Sequence, residues 1–143
     1  MIDKPIGGVH RSFWAIGVVA LIWNVLGAMN FMWQMQADAD AIAAYREAER
    51  AIIQGRPAWA TTGFAIAVFG GALGCILLLL KKSAATYLFV ASLLGVTATM
   101  VHTLSAGANL GLGEILGIVL MPLAVAVFLI WYSKRAASKG WIR

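Results

Sequence analysis

The sequence predicts an all-α membrane protein: a bundle of four transmembrane helices with a short amphipathic outer helix between the first two. Three observations predict it. Of 143 residues, 62% are hydrophobic and only 12% charged, and the mean hydropathy is +0.85. So few charges do not cover the surface of a soluble domain of this size. The apolar residues fall into four stretches without Asp, Glu, Lys or Arg, at 12–37, 57–80, 83–113 and 115–133. Each is near or above the roughly 20 residues with which a helix crosses about 30 Å of hydrocarbon. No period-2 alternation suggests barrel strands, so helices, which satisfy their own backbone, remain as the spanning structure.

The first span is placed at 13–35, with Trp14 and Trp33 near its two ends, where aromatic rings prefer the membrane interface. Its basic start and the Ala37-Asp38-Ala39 stretch resemble a signal peptide with its cleavage site. The apolar core is longer than a signal h-region, so the segment is read as a retained helix. The segment 40–54 is full of helix formers and has Asp38 or Asp40 to cap its start and Gly55 to end it. Ile42, Tyr45, Ile52 and Ile53 share one face of it, which predicts an amphipathic outer helix, acting as a packing lid in preference to a substrate gate. The second span runs over 58–80, opened by Pro57 at a tolerated position. Lys81-Lys82 makes a tight turn, and the third span follows at 84–106 with Tyr87 at its start. A Gly- and Asn-rich turn, 107–113, leads to the fourth span at 114–132, closed by Trp131 and Tyr132. Pro122 removes one backbone hydrogen bond and predicts a kink near Ile118. The tail Lys139-Gly140-Trp141-Ile142-Arg143 is expected to rest on the inner leaflet.

The chain reads as one transmembrane domain, 1–143, without a separate soluble fold. With the N-terminus inside, the inner segments hold Lys4, Arg11, Lys81, Lys82, Lys134, Arg135, Lys139 and Arg143, and the outer ones Arg46, Arg50 and Arg56, 8 against 3. That is the direction of the positive-inside rule and places both termini in the cytoplasm. The net charge of +5 flanks the spans and forms no basic stripe, which argues against nucleic acid as a partner. Cys75, the single cysteine, lies inside the second span and reads as a small apolar filler.

Polar and small residues within the spans need partners. Gly17, Ala20, Asn24 and Gly27 form a small-residue stripe on the first span, and Ala67, Gly70, Gly71 and Gly74 form one on the second. Such stripes let backbones approach closely, and an Asn can bond across the contact. They serve packing within the bundle or, as the sharper reading, an interface with another copy or partner. Ser92, Gly95, Thr99, His102 and Ala106 share a face of the third span. Asn24, Asn30, Gln34, Arg56, Thr61, Thr62, Thr99, His102 and Glu114 make up the candidate polar ligand cluster, placed mainly in the outer third of the bundle, with His102 and Glu114 as possible neighbours. Set against it is the plainer reading that these groups satisfy one another and some water. His10 and His102 lie at opposite depths, which argues against a bis-histidine haem, and too few ligands share one depth for zinc. With no phosphate loop, nucleophile elbow or paired intramembrane carboxylates, the expectation is no enzyme, no catalytic residues, no metal and no cofactor.

Leu21-Ile22-Trp23-Asn24 with Gly27, Pro57-Ala58-Trp59, the block 64–74, Met121-Pro122 and the tail Lys139-Gly140-Trp141 resemble a group of small bacterial membrane proteins often labelled sugar transporters. In that group an acidic, alanine-rich segment like Ala44-Tyr45-Arg46-Glu47-Ala48-Glu49-Arg50 also precedes the second span. The similarity spans most of the chain and is most specific in the 64–74 block. It implies a bacterial inner membrane and supports transport modestly; it implies no set of substrate residues. The leading functional expectation is an accessory or assembly subunit packed against a larger membrane complex. The alternative is a small-solute, sugar-like transporter acting as a homo-oligomer, and a third is a bundle that binds lipid or quinone in an apolar groove. Membrane lipids, further subunits or other copies of the chain are the expected partners.

Overall fold

The computed structural model describes residues 11–105 and 110–143. Expectations placed on Lys4, His10, Ala106 and residues 107–109 lie outside them. Among the described residues four helices are long and apolar enough to cross a membrane: α1 (Arg11–Gln36), α4 (Ala58–Leu79), α5 (Ala85–Ser105) and α6 (Leu112–Ser138). The shortest has 21 residues, about 32 Å at 1.5 Å per residue, enough for the hydrocarbon core. The short helices α2 (Ala39–Ala43) and α3 (Glu47–Gln54) lie between α1 and α4. The chain is an all-α, multi-pass membrane bundle. In space α1 packs on α4, α4 on α5 and α5 on α6. Arg11, the Lys81–Ser83 turn and the C-terminal tail share one end of the bundle, the terminal end; α2 and α3 share the other, the loop end.

The outer helix expected over 40–54 is broken in two. Asp38 caps α2 by accepting the Ala41 N–H at 2.9 Å. Arg50 then donates through Nη1 to the carbonyls of Ala43 (3.2 Å) and Tyr45 (3.0 Å). These carbonyls are satisfied by a guanidinium instead of a continuing helix, and Arg46 is extended at φ −65°, ψ 155°. The break lets α3 turn independently, with Ile52 buried and Glu47 and Glu49 in its first turn, where the helix dipole favours acids.

The last helix runs six residues beyond its expected end at 132. Lys134 and Arg135 end an apolar window, but Ala136 and Ala137 continue a good helix. Its stop is Gly140, at φ 75°. Gly140 donates to Ala137 O (3.0 Å) and Trp141 to Ala136 O (2.9 Å), a Schellman cap that needs the left-handed conformation. The cap turns the tail back into the protein, which corrects the expectation that it rests on the leaflet. Arg143 N–H donates to Lys81 O (3.0 Å) and Ser83 N–H to Arg143 O (2.8 Å), steadying a turn in which Lys81 itself has φ 63°. Ile142 is 2% exposed and joins Phe13, Leu78, Phe89, Leu129 and Tyr132 in the main core. Ile142→Ala is therefore expected to cost about 2–4 kcal/mol, measured as thermal unfolding in detergent; a tail lying on lipid would show almost no change.

The kink expected at Pro122 takes the form of a wider turn. Residues Ile115–Leu120 are π-helical, and Met121 N–H reaches back to Leu116 O. Pro122 offers no N–H to the carbonyl four residues earlier, and the extra residue per turn absorbs the mismatch.

Candidate functional site

The site begins with a close helix crossing. Gly17, Ala20, Asn24 and Gly27 turn one side of α1 toward α4: a Cβ on Gly17 would meet Leu79 Cδ2 at 2.5 Å, and one on Gly27 would meet Val68 Cγ1 at 2.9 Å. Gly71 leaves the space that the Asn24 amide fills. Asn24 is buried and donates through Nδ2 to Ala20 O at 2.9 Å, with Cys75 Sγ at 3.7 Å. The stripe on α4 serves α5 as well, since Gly74 accommodates the ring of Phe89 and Gly70 faces Leu88 and Ser92.

The core closes tightly at the terminal end. Phe13 on α1 stands 6.4 Å from Tyr132 on α6 and 6.0 Å from Trp141, ring centre to ring centre. Along the rest of their length α1 and α6 do not pack on each other. Between them, backed by α4 and α5, lies a cavity of about 590 Å³, within the 300–1,000 Å³ usual for small-molecule sites. Its middle is mainly apolar, walled by Trp23, Ala67, Phe89, Val96, Val125 and Leu129, with Asn24 and Ser92 among them. The hydroxyls at this depth point their protons elsewhere: Ser92 donates to Ala67 O (2.6 Å) and Thr99 to Gly95 O (3.0 Å). Trp23, Leu26 and Gly117 line the cavity and are also exposed on the outside of the bundle, so it opens sideways between α1 and α6.

The loop end of the cavity is polar. Arg56 Nη1 donates to Gln34 Oε1 at 2.8 Å, and Gln34 Nε2 donates to Asn30 Oδ1 at 3.3 Å. The Arg56 guanidinium lies 4.9 Å from the centre of the Phe64 ring, in cation–π range. Burial lowers its pKa from the ordinary value, yet an arginine remains protonated. Arg56 Nε is buried and has no hydrogen-bond partner among the described residues. Ile52, Ile53 and Glu49 of α3 roof this end.

Two contacts hold the roof down. His102, buried on α5, bonds through Nε2 to Ile52 O at 2.9 Å. A carbonyl only accepts, so the ring nitrogen is the donor, and it satisfies one of the carbonyls left free at the end of α3. Arg46 reaches Glu49 and Glu114, each at 3.4 Å, an exposed pairing of modest strength. His102→Ala is expected to cost about 1–3 kcal/mol by stranding the Ile52 carbonyl, and to speed proteolysis within α3 relative to the spans.

Of the sequence-predicted cluster, Asn24, Asn30, Gln34, Arg56 and Thr99 line the cavity. Thr62 faces outward, and Thr61 turns its hydroxyl to Pro57 O at 3.3 Å; neither lines the cavity. Glu114 accepts the Gly111 N–H at 3.0 Å at the start of α6 and pairs with Arg46, while His102 bonds Ile52, so each has another partner. Glu49, Tyr45 and Thr103 line the cavity and were missed. Nothing in the spacing reveals that α3 folds over α5, and Thr103 differs from its neighbours only by one place on the helix.

Fold and cavity together define a small integral membrane protein with a side-opening, amphipathic chamber. Comparisons with protein-family models, with characterised proteins and with solved structures find no match to the chain.

Proposed function

We propose that this chain is a non-enzymatic accessory subunit of a membrane complex, and that its own contribution is to hold one amphipathic, lipid-like molecule. The observation that carries this is the distribution of chemistry in the cavity: mainly apolar through mid-depth, where Asn24 and Ser92 donate to backbone carbonyls, charged at the loop end, and open sideways between α1 and α6. A chain of methylenes entering there gains about 0.8 kcal/mol per buried CH₂ over water, and the polar end takes a headgroup. The basic residues Arg11, Lys81, Lys82, Lys134, Arg135 and Lys139 gather at the terminal end, which supports cytoplasmic termini. The resemblance noted above supports a bacterial inner membrane.

Solute transport by a homo-oligomer has less support. It calls for a wet, polar path at mid-depth reached from both sides. Here the terminal end is filled by Phe13, Leu78, Tyr132 and Ile142, and the mid-depth hydroxyls are spent on backbone carbonyls. The test is gentle extraction of the tagged protein from its native membrane, with identification of what co-purifies and a liposome flux assay beside it. Stoichiometric protein partners and no flux support the proposal. A partnerless chain that moves a solute across liposomes overturns it in favour of transport.

A further inference from the structure

Arg56 is wired as half of an ion pair whose other half is absent among the described residues. One nitrogen, Nη1, is committed to Gln34, and Cζ lies 4.9 Å from the centre of the Phe64 ring. That leaves the edge formed by Nε and Nη2, and its Nε is buried with no hydrogen-bond partner among the described residues. This edge is the one that meets a phosphate or carboxylate with two parallel hydrogen bonds. Glu49, the carboxylate among the described residues that line the cavity, pairs with Arg46 instead. Among the described residues Arg56 has no carboxylate within 4.0 Å. A guanidinium partly removed from water without a counter-charge costs stability, and an anion at that edge returns it. The Gln34–Asn30 bond holds two further amides beside the same spot.

Resting on the amphiphile reading, we infer that the occupant carries an anionic, phosphate-type headgroup, bound by the Nε–Nη2 edge of Arg56 with Gln34 and Asn30 alongside. The test is native mass spectrometry of the full chain purified in a neutral alkyl maltoside. It is titrated with dioleoyl-phosphatidylglycerol, with dioleoylglycerol, which has the same chains and no phosphate, and, separately, with inorganic phosphate. Wild type is expected to hold one phosphatidylglycerol about tenfold more tightly than dioleoylglycerol, the size of one charge-assisted contact. Arg56→Gln should abolish that preference while leaving dioleoylglycerol binding unchanged, and Arg56→Lys should keep part of it. Equal binding of the two lipids by wild type overturns the headgroup assignment and leaves the cavity reading standing. Binding of neither lipid overturns both. Arg56-dependent binding of phosphate without lipid keeps the anion site and overturns the lipid as its source. A preference lost in Lys134→Gln instead of Arg56→Gln places the anion at the terminal end and overturns the assignment.

Discussion

Gly95→Ala is expected to disrupt the α4–α5 interface, at a cost of about 3 kcal/mol or more, the upper end of overpacking effects. The added Cβ would fall on the Gly63 carbonyl oxygen, 2.6 Å from Ala67 N and 3.1 Å from Ala67 Cα. All three atoms are backbone, so no side chain can rotate away, and the two helices must move apart. Membrane helices have little hydrophobic force to draw them together and depend on this close fit. The same change at Gly70, in the same interface, should do the opposite. Its Cβ would lie 3.5 Å from Leu88 O and 3.7 Å from Ser92, an ordinary contact, and alanine gains up to about 1 kcal/mol of helix propensity over glycine. Thermal unfolding in detergent, followed by tryptophan fluorescence, should therefore separate Gly95→Ala and Gly70→Ala to opposite sides of wild type. Equal destabilisation by both would mean that the interface senses small residues in general and not this backbone contact.

Gly117→Phe is expected to empty the cavity without unfolding the protein. Gly117 lines the chamber, and a Cβ there meets no atom within 4 Å. A phenyl group entering that space takes the place of apolar contacts worth about 1.5–3 kcal/mol, which corresponds to roughly 10- to 100-fold in affinity. The lipid retained on purification should fall accordingly, while the melting temperature of the lipid-free protein stays near wild type. Retained lipid in a folded Gly117→Phe protein would place the binding surface outside this chamber.

Much of the fold was legible because the bilayer imposes it. A run without charges of the right length has few alternatives, and all four spans sit where the charge gaps put them. Pro122 was legible too, since a missing N–H has a fixed consequence for the preceding turn. The helix end at Ser138 was not, because Lys134 and Arg135 mark where hydrocarbon stops and not where a helix stops; Gly140 was the informative residue. Trp141 and Ile142 are equally suited to lipid and to a protein core, and only the Schellman turn decides between them. The split of the outer segment depends on Arg50 reaching two carbonyls seven and five residues back, a tertiary-scale choice that helix propensity outvoted in the sequence. Within the site, Asn24, Gln34 and Arg56 were legible as polar groups needing partners near a membrane. The chamber itself was not, because it comes from α1 and α6 parting beyond their Phe13–Tyr132 contact, and periodicity describes only the faces that each helix could offer.

The most direct test of the central claim is the mass of the intact wild-type protein, extracted gently from its native membrane and measured under conditions that preserve non-covalent contacts. The account predicts that each copy of this chain, once dissociated from its protein partners in the gas phase, carries one lipid-like molecule, released by Gly117→Phe. Protein recovered at the bare chain mass, with Gly117→Phe indistinguishable from it, would contradict the claim that this chamber holds an amphiphile.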